Sequence, residues 1–308
     1  MADDLPLSIE LLSIETPSGT APITTAIFLA LASMFGFGAG FVLTQFGLRW
    51  MPPWLGVAIS IPSSTLLFWC LAPSCVDPGE GSLKAVVLFA CVGLVFPGAV
   101  ALLNFESNRL MGPNIAGALS SLAPVFAVFL AIIILGERIR DPQLLGLAAI
   151  VVGIGLMYRV HVNLSARSLW LLTLPLAASA IRGVIQPIFK LGFDWWPNPI
   201  AAVVVGYTVS SAVLIISALA RAGWTIPDID HRGALWFAAV GLCNGLSVLA
   251  MYASLEYGPV TVVSPLIAGY PLVTLLLGRA FLEKEEVGPQ LIGGVTGAVC
   301  GVVLLLVA

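Results

Sequence analysis

The chain has 308 residues, of which 59% are hydrophobic and only 9% charged, with a mean hydropathy of +1.05 and a formal net charge of -3. A soluble domain carries about 25% charged residues, and a water-soluble fold of this size cannot hide so much apolar surface in one core, so the composition excludes that class and points to lipid. No basic stripe marks a nucleic-acid partner.

Residues 1–22 are acidic (Asp3, Asp4, Glu10, Glu15) and contain no Lys or Arg. They lack the basic start of a signal peptide and read as a short mobile tail. From there on, a helix needs about 20 apolar residues to cross about 30 Å of hydrocarbon. Runs of that kind lie near 24–46, 54–74, 84–105, 113–135, 142–160, 168–190, 199–219, 233–253, 259–281 and 289–307, which predicts ten spans. The breaks between them carry turn chemistry, as at Met51-Pro52-Pro53, Asp77-Pro78-Gly79, Gly112-Pro113, Asp141-Pro142, Trp196-Pro197-Asn198-Pro199, Gly258-Pro259 and Gly288-Pro289. Proline costs little at a first helical position, where its missing N–H would be unpaired anyway. Barrel strands would alternate over short segments; these runs are continuous, so they are helices. Trp50, Trp54, Trp170, Trp195, Trp196, Trp224 and Trp236 sit near predicted span ends, as an interfacial belt requires. Cys70, Cys75, Cys91, Cys243 and Cys300 have no metal-ligand spacing, and most lie inside apolar runs as small hydrophobes.

The chain repeats itself. Gly112-Pro113 matches Gly258-Pro259, an offset of 146; Pro124 matches Pro271, Pro142-Gln143-Leu144 matches Pro289-Gln290-Leu291, and Gly146 matches Gly293, all at 147. One inserted residue accounts for the difference. Glu137-Arg138 and Glu283-Lys284 open the following loop in each copy. Each copy covers the last two spans of a set of five. Because five is odd, the second set enters the membrane upside down, which is the layout of alternating-access carriers with a site between the repeats.

A Pro in the fourth span of each half, then Gly136-Glu137-Arg138 or Glu283-Lys284, then Pro-Gln-Leu before a Gly-rich fifth span resembles the EamA-type branch of the drug/metabolite transporter superfamily. Two departures stand out. The family often begins its first span with Trp-Gly, where this chain has Phe35-Gly36-Phe37-Gly38, and the second copy has Leu282 where a Gly would precede the acid. The first implies a differently shaped site. The resemblance implies an all-α membrane protein of two inverted five-helix repeats, residues 23–161 and 162–308. It also implies a cavity lined by spans one, three, four, six, eight and nine, and a multi-pass location in a bacterial cytoplasmic membrane. The positive-inside count alone favours outward termini, since eight Lys and Arg follow odd spans and four follow even ones; relatives of this kind keep both termini in the cytoplasm, and that orientation is adopted.

Charge inside a bilayer costs at least about 2.5–3.5 kcal/mol for Arg at a helix centre, so Arg182 in the sixth span is the outstanding residue. Gln186 shares its face at i+4 and Pro187 disturbs the helix beside it. Arg182 is either a counter-charge for an anionic solute or a structural Arg that bonds exposed carbonyls or snorkels to the interface. Glu106 and Arg109, three apart at the end of span three with Asn104 one turn before, are either a gate or proton-coupling site or an interfacial ion pair. Gln45, Asn104, Ser121, Asn244 and Tyr270 either hydrogen-bond a polar ligand or hold helices together. Gly36 and Gly40 form a GxxxG, and Gly293, Gly297 and Gly301 a longer run; both read as tight packing within the monomer, with a dimer seam along the last span as the alternative. His161 and His231 fall in loops, and no HExxH or paired Asp lies in a span; the chemistry of an enzyme, a metal or a cofactor is not expected. The function expected is secondary transport of a small polar or amphipathic metabolite, amino acid-like or organic acid-like, by a monomer or homodimer. Export is the direction taken from the family. A channel or an intramembrane enzyme is the alternative.

Overall fold

The computed structural model describes residues 21–77, 79, 81–158, 166–225 and 227–282, with single positions or pairs at 293–294, 296–297 and 301. Residues 1–20, His161, Glu283-Lys284, Pro289-Gln290-Leu291, Cys300 and most of the expected tenth span lie outside the described residues. Among the described residues all regular structure is helical: α1 (Ala21–Leu48), α2 (Pro53–Cys75), α3 (Leu83–Gly93), α4 (Gly98–Met111), α5 (Pro113–Ser120), α6 (Ala123–Leu135), α7 (Asp141–Tyr158), α8 (Ala166–Phe193), α9 (Pro199–Arg221), α10 (His231–Tyr257), α11 (Val260–Ile267) and α12 (Tyr270–Phe281). Seven stretches are long and apolar enough to cross a membrane; one of them, Leu83–Leu135, runs for 53 residues through α3 to α6 and so joins two of the expected runs. The outward surface is apolar, with Leu66, Phe129, Ile133, Ile216 and Leu276 each more than half exposed, as lipid contact demands.

Three of the runs read as continuous in the sequence are interrupted. The third breaks over Leu94–Pro97 between α3 and α4, the fourth at Ser121–Leu122 between α5 and α6, and the ninth at Ala268–Gly269 between α11 and α12. Proline lacks the amide donor and collides with the carbonyl four residues back, and Pro124 and Pro271 stand in the first turn of α6 and α12. The two breaks obey the sequence repeat: α5 ends at Ser120 and α11 at Ile267, α6 starts at Ala123 and α12 at Tyr270, both 147 apart. Pro62, Pro73, Pro175, Pro187 and Pro265 remain inside their helices.

The centre of the bundle is the antiparallel pair α1 and α10. Ser254 Oγ donates to the Ala26 carbonyl (2.6 Å) and Cys243 Sγ to the Gly36 carbonyl (3.3 Å), while Gly47 lies against Phe237. A Cβ at Gly36 would stand 2.0 Å from Ser247 Oγ, and one at Gly40 2.0 Å from Asn244 Oδ1, so the GxxxG face packs within the chain. Similar close approaches join α2 to α10, where a Cβ at Gly241 would meet the Ser60 carbonyl oxygen at 2.1 Å, and α8 to α6, where one at Gly183 would meet that of Ala123 at 2.4 Å. Hydroxyls add bonds between helices: Thr65 with Ser211 (2.7 Å), and Ser64 to the Gly241 carbonyl (2.6 Å).

The far end of α4 packs near the C-terminal end of α1: Gln45 Nε2 donates to the Asn108 carbonyl (2.8 Å) and to Asn108 Oδ1, and Asn108 Nδ2 to the Phe41 carbonyl (2.8 Å). The far end of α10 packs near the other end of α1, at Ala26. The repeat-equivalent turns at Gly112-Pro113 and Gly258-Pro259 therefore lie at opposite ends of α1.

Candidate functional site

A cavity lies between α1, α2, α4, α8, α9 and α10. Its volume is about 50 Å³, room for a few waters. Its walls are mostly apolar, with Phe37, Phe41, Phe96 and Phe105 among them, and its polar contributors include Asn104, Asn108, Arg182 and Asn244. On α1 the lining runs from Phe37 to Thr44. The cavity thus reaches from the middle of the bundle toward the end where Gln45 meets Asn108.

Arg182 stands at its inner end. Gly183 brings α8 against α6, and the preceding residue turns toward α1. The Arg182 side chain is 7% exposed; its guanidinium carbon sits 4.5 Å from the centroid of the Phe37 ring and 5.9 Å from that of Tyr270. Phe41 stacks on Tyr270 at 5.5 Å with an interplanar angle of 7°, which fixes the second ring. Nε and Nη1 of Arg182 are buried and have no hydrogen-bond partner, and the same holds for Gln186 Oε1 and the Tyr252 hydroxyl, while the Tyr270 hydroxyl lies beside Ser120 and the guanidinium. No carboxylate among the described residues lies within 4 Å of the guanidinium. Cation–π contact with a desolvated ring is worth about 2 kcal/mol. Burying an ion without a counter-charge costs several kcal/mol, so the site carries a net demand for an anion or for well-placed acceptors. Of the two readings of Arg182, bonding to exposed carbonyls is not what Nε and Nη1 do.

The remaining candidates divide. Asn104 lines the cavity with its Oδ1 already accepting from Ser120 Oγ (2.7 Å), and Asn244 lines it beside Gly40. Gln186, with its unpaired Oε1, and Tyr270, beside the guanidinium, belong to the surroundings of Arg182 but not to the cavity wall. Gln45 does not reach the cavity; it bonds Asn108, the gluing role. Ser121 Oγ donates to the Ala118 carbonyl (2.8 Å) within its own turn at the α5–α6 break. Glu106 and Arg109 form an ion pair with side chains 32% and 48% exposed, and neither borders the cavity. Phe37 and Tyr207 were not singled out by the sequence as site residues. For Phe37 a signal existed, since it belongs to the stretch that departs from Trp-Gly.

At the other end of α1, two charged side chains meet helix ends. Glu137 Oε1 accepts from the amide of Val260 and Oε2 from that of Thr261, both at 2.9 Å. Lys190 Nζ donates to the carbonyls of Leu255 (3.0 Å) and Gly258.

Comparison with known proteins places this arrangement. The profile of the EamA-like transporter family matches residues 24–159 and again residues 169–307. A crystal structure of another protein superposes with a TM-score of 0.66 at 18% identity, covering 91% of this chain and 94% of that one, which is a likeness of fold. No curated protein matches the chain. Two consecutive matches that together span nearly the whole sequence, on an all-helical bundle with an apolar exterior, make this chain a multi-pass integral membrane protein of the EamA-like transporter family.

Proposed function

We propose that the protein is a secondary transporter that carries a small metabolite with a carboxylate or similar anionic group, and that the group binds Arg182. The observation that carries this reading is the buried guanidinium with unpaired Nε and Nη1 at the inner end of an apolar-walled cavity. An anion there removes the cost of the lone charge, and a bidentate geometry suits the guanidinium fork. Phe37 and Tyr270 hold the fork from one side, and the phenylalanine walls accept an apolar body, so amino acid-like and organic acid-like solutes fit. Asn104 and Asn244 supply the remaining polar contacts.

In this proposal ten spans form two inverted repeats, residues 23–161 and 162–308, which rock about the site to expose it to one side at a time. The repeat of the helix interruptions at an offset of 147 supports that symmetry. Glu106 is paired with Arg109 away from the cavity, so the mechanism uses no proton carried by it. Residence in a bacterial cytoplasmic membrane, export as the physiological direction, and a monomer or homodimer as the working unit complete the proposal. Purified protein in liposomes loaded with a panel of small carboxylates tests it. A carrier exchanges internal for external solute with saturation on both faces. Flux that rises linearly with concentration and shows no counterflow is the behaviour of a pore and refutes the proposal.

A further inference from the structure

We propose that Glu137 and Lys190 are the positioning residues that keep one end of the carrier shut, by gripping the turn between α10 and α11 from both sides. The inference rests on the alternating-access reading above. At that turn α10 ends with free carbonyls and α11 begins with free amides, each helix lacking partners for its last or first four groups. Lys190, from α8, donates to the Leu255 and Gly258 carbonyls, and Glu137, from the loop after α6, accepts from the Val260 and Thr261 amides. The cation thus meets the negative end of one helix and the carboxylate the positive end of the next. The N-cap residue of α11 is Pro259, and no side chain of its own caps the helix, so Glu137 supplies what the local sequence does not.

Glu137 reaches the turn because of the residue before it. Gly136 adopts φ 65°, ψ 20°, and the Glu137 amide bonds back to the Ala131 carbonyl, a left-handed helix end that throws the next side chain sideways. The contact joins the first half of the chain to the second. The same end is sealed by α1, where a Cβ at Gly258 would lie 2.8 Å from the Ala26 Cβ and Ser254 bonds the Ala26 carbonyl. At the opposite end a neutral bond is found: Gln45 donates to the Asn108 carbonyl, four residues before Gly112, whereas Lys190 reaches the Leu255 carbonyl three residues before Gly258. The cavity runs toward that neutral end and away from the charged one. In the second half Leu282 stands in place of Gly136, with φ -114°, ψ 111°.

The test is reciprocal labelling in the full chain with its native cysteines replaced by serine, in right-side-out and inverted membrane vesicles. One cysteine replaces Ser264, buried one turn inside α11, and in a second preparation one replaces Ala101 on the cavity wall. An impermeant maleimide is added to each face. Glu137→Ala and Lys190→Met are expected to raise labelling of Ser264→Cys from the gripped end on the order of tenfold and to lower labelling of Ala101→Cys from the other end, because population moves from one access state to the other. Glu137→Gln, which keeps one acceptor oxygen, is expected to fall between. No change at either position, or a rise at both as a loosened bundle would give, overturns the proposal. If the unsubstituted grip already lets both positions label from both faces, the carrier reading itself fails instead.

Discussion

Replacing Arg182 by methionine separates a solute-binding charge from a structural one. The side chain is 7% exposed, Nε and Nη1 have no partner, and among the described residues no carboxylate lies within 4 Å. Methionine keeps most of the volume, removes the charge and loses the stacking on Phe37. Exchanging buried ionic groups for apolar ones of similar size is commonly neutral or stabilising by about 1–4 kcal/mol, here reduced by about 2 kcal/mol of cation–π contact. The balance runs from about -1 to +2 kcal/mol, so the variant is expected to unfold in detergent within a few degrees of the parent. Binding of an anionic solute should fall steeply. Truncating one partner of a buried, hydrogen-bonded charge pair costs about 2–5 kcal/mol, which is about 30- to 4000-fold in affinity at about 1.4 kcal/mol per decade. The assays are thermal unfolding of the purified protein and counterflow in liposomes with the best carboxylate from the panel. A variant that transports normally but unfolds several degrees earlier would show that Arg182 is a strut and refute the assignment.

Gly241→Ala is expected to destabilise the bundle by about 2–4 kcal/mol, since its Cβ would stand 2.1 Å from the Ser60 carbonyl oxygen and force apart the helices joined by the Ser64 bond; Gly206→Ala, whose nearest neighbour would be 3.5 Å away, should be near neutral in the same denaturant titration. Gly136→Ala meets nothing within 4 Å but must hold φ 65°, so a loss of about 1 kcal/mol is expected, smaller for Gly136→Asn, which tolerates that conformation better. Asp230 caps α10 by accepting from the Arg232 and Gly233 amides (2.8 and 3.1 Å). The Gly233 bond leads the causes that hold its carboxyl below the ordinary range, followed by the Arg232 bond and the His231 and Arg232 charges. A depressed folded value stabilises above the unfolded value and is lost as pH falls through the folded one. The melting-temperature gap between parent and Asp230→Asn should therefore be widest above about pH 5 and close on acidification below about pH 4.

That the chain is a set of apolar helices was legible because each needs only a long apolar run, and the repeat because Pro124 and Pro271 recur in register. The interruptions were not, since Pro62 and Pro187 stay inside helices while Pro124 and Pro271 follow breaks; the difference lies in what neighbouring helices offer the freed backbone groups. Arg182 was legible from the cost of its charge in lipid. Its shelf was half legible: Phe37 stood in an unusual stretch, but nothing in the sequence brings Tyr270 to it from 88 residues away. Gln45 and Asn244 looked alike as isolated amides, and only their neighbours on other helices separate a strut from a wall. Glu137 was visible as part of a motif, yet its destination, the backbone of α11, has no side-chain signature to read.

The matched breaks in the fourth and ninth runs give each half a knuckle near mid-depth. An unbroken rod packed as tightly as α1 against α10 transmits any tilt along its whole length. A jointed one lets its outer segment swing while the inner segment keeps hold of its neighbours. The short segments α5 and α11 are the pieces such joints set free, and in the proposed transport cycle they are the parts whose amides should exchange with solvent earliest.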